Sequence, residues 1–275
     1  MRLSVGCAMW THTAWPAPGD KLRSYASWCD AVEGNTTFYA VPARRTVETW
    51  AQQTGPEFRF VIKLPKTITH ERRLSGAEAE LKTFLDTMEP LGPRLHALWI
   101  QLPGSFGPGD LAALAGFLRK VPSGLRVAVE VRHPAFFTDQ GADSRLERVL
   151  GRIGAEWVPF DTTVLFAARP VSSAEYEAQS KKPHLPRRMR ALTDTPIVRY
   201  HGRDDPEATV AGWRPWVEQT VEWLREGRSP TIFLHTPDNA SSRDLARRFH
   251  DEVGVRVPEL EPLPDPAETE PMTLF

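Results

Sequence analysis

Eight times along the chain, a run of four to seven mostly apolar residues gives way to a loop and then to an amphipathic stretch. The runs cover 3–7, 30–33, 58–64, 97–102, 126–131, 157–160, 197–200 and 231–234, and they are rich in Val, Ile, Phe and Trp. Several are apolar on both faces, as strands of a parallel sheet covered on both sides must be. Between them lie segments with helical spacing of apolar residues. Val47, Trp50 and Ala51 share a stripe in "RRTVETWAQQT", as do Leu81, Phe84, Leu85 and Met88 in "GAEAELKTFLDTM". Asp110 is placed to cap "DLAALAGFLRK", and Gly227 and Gly254 to close the last two helices. Eight strand–helix units in about 250 residues predict an α/β fold of the (β/α)8 TIM-barrel type, a single domain over 1–254. The stretch from Asp161 to Pro196 fits this scheme least well. Its helical part, "SSAEYEAQS", is short, and "KKPHLPRRMR" is basic and broken by prolines, so an extended loop at the rim is expected there.

In barrels of this type the chemistry sits at the carboxyl ends of the strands. The side chains expected there are Trp10 after the first run and Glu33 and Asn35 at the second. Lys63 ends the third, with His70 in the loop that follows, and Gln101 ends the fourth. Glu130, Arg132 and His133 close the fifth, Asp161 the sixth, Arg199, His201 and Arg203 the seventh, and His235 the eighth. Residues two apart on a strand share a face, so Glu33 with Asn35, Glu130 with Arg132, and Arg199 with His201 are expected to point the same way. One Glu–Arg pair is most often a structural salt bridge, and one histidine is most often a satisfied core or surface residue. The repetition at nearly every strand end is what reads as a site. Buried charges are costly unless paired, so a Glu130–Arg132 or Glu130–Arg199 ion pair is expected.

Five segments taken together are specific: "VEGNTTFYAVP", "FRFVIKLPKTITH", "LGPRLHALWIQLPGSF", "VAVEVRHPAFF" and "VRYHGR". In order and spacing they resemble the YecE-like family, domain of unknown function 72, over roughly residues 3 to 250. The resemblance implies a (β/α)8 barrel similar to the xylose-isomerase and endonuclease barrels, and implies no particular reaction. The matched site positions are Glu33, Asn35, Tyr39, Lys63, His70, Gln101, Glu130, Arg132, His133, Arg199 and His201. Two departures fall at the expected mouth. "CAMW" replaces a first-strand motif like "TSGW", and "FLHTPDNAS" places His235 where the family has an aromatic followed by asparagines.

Several functions compete on these residues. Lys63, Arg132, Arg199 and Arg203 suit a small anionic, phosphorylated ligand. A hydrolase or lyase would then use Glu130 as general base, with His133 or His201 as acid and Glu33 beside them. A divalent-metal phosphoesterase would draw on Glu33, Glu130, Asp161, His201 and His235, although no H-E-x-x-H spacing supports it and the flanking cations oppose it; no cofactor is otherwise expected. A third reading rests on the end of the chain. "PMTLF" resembles the bacterial sliding-clamp-binding motif, with Met272, Leu274 and Phe275 as anchors and Pro271 in place of its glutamine, which would suggest a role near DNA replication or repair. The basic loop 181–190 also suits a phosphodiester backbone, with a solvated rim loop as the plainer reading.

The net charge of -1 excludes a globally basic nucleic-acid binder, and no apolar run approaches the length of a membrane helix. Two cysteines, Cys7 and Cys29, carry no metal or redox spacing, and a cytoplasmic location is expected. Residues 255–275 hold five prolines and five acidic residues, the composition of an extended, partly disordered tail.

Overall fold

The structure, a computed structural model, describes residues 2–15 and 19–264. Nine parallel strands form one curled sheet with helices around it. They are β1 (Ser4–Cys7), β2 (Ala31–Gly34), β3 (Arg59–Lys63), β4 (Leu95–Gln101), β5 (Val127–Glu130), β6 (Glu156–Trp157), β7 (Phe160–Asp161), β8 (Ile197–His201) and β9 (Thr231–His235). Their order is β6-β5-β4-β3-β2-β1-β9-β8-β7. The expected α/β class with a parallel sheet is therefore met. The sixth predicted strand divides in two because Pro159 has no N–H to give to a ladder. Its first half pairs with β5 and its second with β8.

Strand alternation builds two apolar layers. Val5, Val32, Phe60, Ile62, Ile100, Val129, Val198 and Ile232 face outward and bury against the helices. The inward face carries Ala31, Val61, Ala97, Trp99, Ala128, Val158, Ile197 and Phe233, a smaller core inside the curl. Three alanines in that set leave room for Trp99 and Phe233, whose rings lie 5.9 Å apart. Two residues further along the same inward face come Glu33, Lys63, Gln101, Glu130, Arg199 and His235. The backbone alternation that fills the inner core thus also aims these polar groups inward, one layer above it.

The helices start where local chemistry allows. Asp205 accepts hydrogen bonds from the N–H groups of Glu207 and Ala208, with Pro206 as the first helical residue, so the helix Pro206–Arg225 begins seven residues before the predicted start at Trp213. Ser172 caps Ser173–Lys181 by accepting from the N–H of Glu175. Asp110 is not an N-cap by hydrogen bond. It accepts instead from the Gly107 N–H at 2.8 Å and pairs with Arg73 at 2.9 Å. The helix Gln140–Gly151 was not predicted, although Ala142, Leu146 and Leu150 sit on one buried stripe.

The segment expected as a rim loop is tied down. Arg187 pairs with Asp161, and Arg188 and Arg190 both pair with Glu147. Of the Pro- and acid-rich tail, residues 255–264 run along the opposite end of the sheet and bury Val257, Leu260 and Leu263, the two leucines near Leu3, Phe58 and His250. "PMTLF" lies outside the described residues. No helix among the described residues is long and apolar enough to cross a membrane.

Gly6 gives a direct test of the strand contacts. A methyl group there would lie 2.0 Å from the Ala31 carbonyl oxygen, which also accepts from Tyr25. Gly6→Ala should therefore lower stability by about 2–3 kcal/mol in urea denaturation, as overpacking against backbone does. A loss under about 0.5 kcal/mol would contradict the close approach of β1 to β2.

Candidate functional site

A cavity of about 700 Å³ opens at the carboxyl ends of the strands. Lys63, Arg132, Arg199, His201 and His235 line its inner part, with Gln101 beside them. Asn35, Phe38, Tyr39 and His70 form one wall. Lys181 and Lys182, from the end of the helix Ser173–Lys181, close the other.

Two carboxylates with no solvent exposure lie beneath this lining. Glu33 Oε1 is 2.6 Å from Lys63 Nζ and 3.2 Å from Arg199 Nη2. Glu130 takes the Nε–H of Arg132 at 2.6 Å and faces Arg199 Nη1 at 3.3 Å. Both ion pairs expected of Glu130 therefore form, and Arg199 bridges the two acids. Burial opposes the charge on Glu33, but Arg199, Lys63 and His235 outweigh it and hold the carboxyl well below its usual range. Glu130 is likewise held down by Arg132, Arg199 and Lys63 against the effect of burial.

The bases are lowered as well, which favours their neutral forms. Burial, helped by Arg199, lowers Lys63 to about 8 although Glu33 and Glu130 resist. Its ammonium also donates to Gln101 Oε1 at 2.9 Å and lies over the Trp99 ring. Burial lowers His235 to about 4 against the pull of Glu33, so the ring is neutral. Its Nε2 lies 2.8 Å from Glu33 Oε2. A carboxylate only accepts, so that nitrogen carries the proton, and its 3.4 Å contact with Arg199 Nε is not a hydrogen bond. Burial, and then His235 and Lys182, hold His201 well below its usual value. His201 Nδ1 faces the Gly202 carbonyl at 3.2 Å, which assigns the proton to Nδ1 and leaves Nε2 with a lone pair. Burial and Arg132 also lower His70, whose ring meets Phe38 edge-on.

Four expected site residues fall elsewhere. His133 turns away at the step into Pro134. Its Nδ1 accepts from the Ala135 N–H at 3.2 Å and its ring sits over Gly107, so it does not line the cavity. Asp161 points to the outer face, where Arg187 Nε and Trp216 Nε1 each donate to it at 2.6 Å. Arg203 is locked in two hydrogen bonds to Glu175. Trp10 packs on Trp50 and lines a separate small pocket with Trp15 and Arg243. Glu33 and Glu130 themselves stay under the floor. Among the described residues no group of three His, Cys, Asp or Glu side chains is placed to hold a metal ion, because the inner acids are already matched to Lys63, Arg132 and Arg199.

Lys182 enters the sequence reading only within the basic loop 181–190 and not as a site residue. Strand-end reasoning cannot find it, because it comes from the far end of a helix in the sixth loop. The one local signal is the Lys-Pro step at 182–183, which ends the helix and turns the chain back over the sheet. Burial, followed by Arg199, Arg132 and Lys63, lowers its ammonium to about 7.

The family model described as "Protein of unknown function DUF72" matches residues 4–270. The chain belongs to the DUF72 family. It is 36% identical over 261 residues to the UPF0759 protein YecE of Escherichia coli K12, covering 94% of this chain and 96% of that one. The UPF0759 protein YunF of Bacillus subtilis is 25% identical over 193 residues, 67% of this chain and 62% of its own. A DUF72 family crystal structure from Enterococcus faecalis V583 superimposes with a TM-score of 0.71 at 19% identity, covering 92% of this chain and 95% of that one. Another, from Thermotoga maritima MSB8, gives 0.68 at 20% identity over 94% and 100% of the two chains. The DUF72 resemblance read from the five motifs is thus established over nearly the whole length.

Glu33 tests the network. Its depressed pKa means that its stabilisation is present above the unfolded-state value, about 4.3, and is lost as pH falls below that. Glu33→Gln should cost about 3–5 kcal/mol at pH 7, because it strands Lys63 and half of Arg199, and the deficit against wild type should shrink on acidification below pH 4. Urea denaturation from pH 3 to 7 checks both, and a cost below about 1 kcal/mol would mean the carboxylate is not central.

Proposed function

We propose that this DUF72 chain is an enzyme, a hydrolase or lyase, acting on a small phosphorylated or carboxylated molecule held in the cavity. One observation carries the reading. Six cationic side chains, Lys63, Lys66, Arg132, Lys181, Lys182 and Arg199, line the cavity against one carboxylate, Glu177. Adding the two buried acids beneath still leaves the cations in excess. Positive charge concentrated in a concave, partly desolvated site attracts and orients an anion, and the forked guanidinium of Arg132 suits a phosphate or carboxylate. This reading also takes the sheet as a closed barrel. In support, only Val158 and Pro159 separate its two edge strands. The Val158 N–H donates to Val129, and the Arg199 N–H donates to Pro159.

The acid–base roles follow from protonation. Glu130 is a weak candidate for general base, since two arginines occupy its oxygens. Its part is to position Arg132 and Arg199. His201 is the better base because it lines the cavity with a free Nε2 lone pair. An ammonium that titrates near neutrality, Lys63 or Lys182, is the better acid. The nucleic-acid reading gains nothing from the arginines of the basic loop, since Arg187, Arg188 and Arg190 are engaged by acids within the fold.

Sulfate, which does not titrate in this range, separates the protein's protonation from the ligand's. Its affinity, measured by calorimetry, should fall between pH 6.5 and 9 as Lys182 and Lys63 lose charge. The limiting slope is about tenfold per pH unit for each proton required. Arg132→Ala should weaken it by at least about tenfold. Affinity that stays flat with pH and is indifferent to Arg132 would overturn the anion site.

A further inference from the structure

Of the six cations around the cavity, five have an acidic partner within 4.0 Å. Lys63 has Glu33, Lys66 has Glu71, Arg132 has Glu130, Arg199 has both inner acids, and Lys181 has Glu177. Lys182 has none among the described residues. A second anion clamp would gain from a carboxylate that orients it, as Arg132 gains from Glu130. A bare amine set among cations is the arrangement that keeps a lysine unprotonated and nucleophilic.

The backbone holds this amine in place. The Lys182 N–H donates to the Ala178 carbonyl at 2.9 Å and ends the helix. The next residue, Pro183, has a fixed φ, and its carbonyl accepts from the Thr162 hydroxyl at 2.8 Å. Pinned on both sides, the residue sends its side chain into the cavity. Its charge is felt there by both His201 and His235.

We propose that Lys182 is a nucleophile that captures the carbonyl carbon of a phosphorylated or carboxylated aldehyde or ketone as a Schiff base. The inference rests on the anion-site reading, since the substrate's anionic group would sit on Arg132 and Arg199 while its carbonyl meets Lys182. In the step, the amine lone pair forms the C–N bond as the carbonyl π pair moves to oxygen. That oxygen takes a proton from the Lys63 ammonium, giving a carbinolamine. His201 Nε2 accepts the proton released by nitrogen and returns it to the hydroxyl, which departs as water and leaves the iminium. No oxidant or reductant is involved, and hydrolysis reverses the step. Burial and the neighbouring cations, which lower the ammonium to about 7, place a reactive fraction of free amine at neutral pH.

The test uses the full chain at pH 7 with sodium cyanoborohydride and, separately, pyruvate and dihydroxyacetone phosphate. Intact mass spectrometry counts the adducts, peptide mapping locates them, and calorimetry with sulfate is run in parallel on the wild type. The expected result is one adduct, on Lys182, formed at least about tenfold faster than on the exposed Lys82, suppressed by sulfate and absent from Lys182→Arg. The wild-type map stands whether or not that variant folds. Adducts on Lys63, or spread over surface lysines, would overturn the inference. Sulfate binding without an adduct at Lys182 would overturn it and leave the anion site standing, and neither binding nor adduct would remove both.

Discussion

Arg199 bridging Glu33 and Glu130 is the interaction on which the rest of the site depends. Neither acid has any exposure, and an isolated carboxylate at that depth would take up a proton rather than remain charged. Arg199 gives one terminal nitrogen to each, and Lys63 and Arg132 complete the matching on either side. Neither acid is left facing the cavity as a free charge, so what the cavity presents is the cationic surplus. The pairing therefore decides the sign of the field a ligand meets.

That network was legible because its members obey strand parity. Glu33, Lys63, Glu130 and Arg199 all stand two residues beyond an inner-core residue of their own strand, and alternation fixes their direction. The same rule explains the failures. Asp161 is next to Phe160, whose ring meets Arg199 and Arg132 from the inner face, so Asp161 is turned outward to Arg187 and Trp216. His133 and Trp10 lie beyond the last paired residue of their strands, where the chain has already bent and parity has no hold. Lys182 depends on the return path of a long loop, of which the Lys-Pro step encodes the turn but not the destination.

The strand count shows the same division between local and assembled information. The eight runs were found because buried parallel strands are apolar on both faces. The division of the sixth depends on Pro159, which was visible in the sequence, although its effect depends on what pairs on each side of it. The tail was judged by composition, and composition averages over its three buried side chains. Val257, Leu260 and Leu263 recur every three residues between prolines and acids, a spacing that suits packing along a surface as well as a solvated linker.

Trp99 lies beneath the polar floor of the cavity. Its indole fills the shaft left by three alanines, with Lys63 Nζ 5.0 Å from its centre and the Arg199 guanidinium 5.8 Å away. The ring lies one layer below the side chains that line the cavity and backs their floor, so the length of a ligand held there would be bounded by depth rather than by width. A flat, apolar ring directly under two cations also occupies space that screening water would otherwise fill, so an anion bound above it would experience a stronger pull than surface charges of equal number would exert.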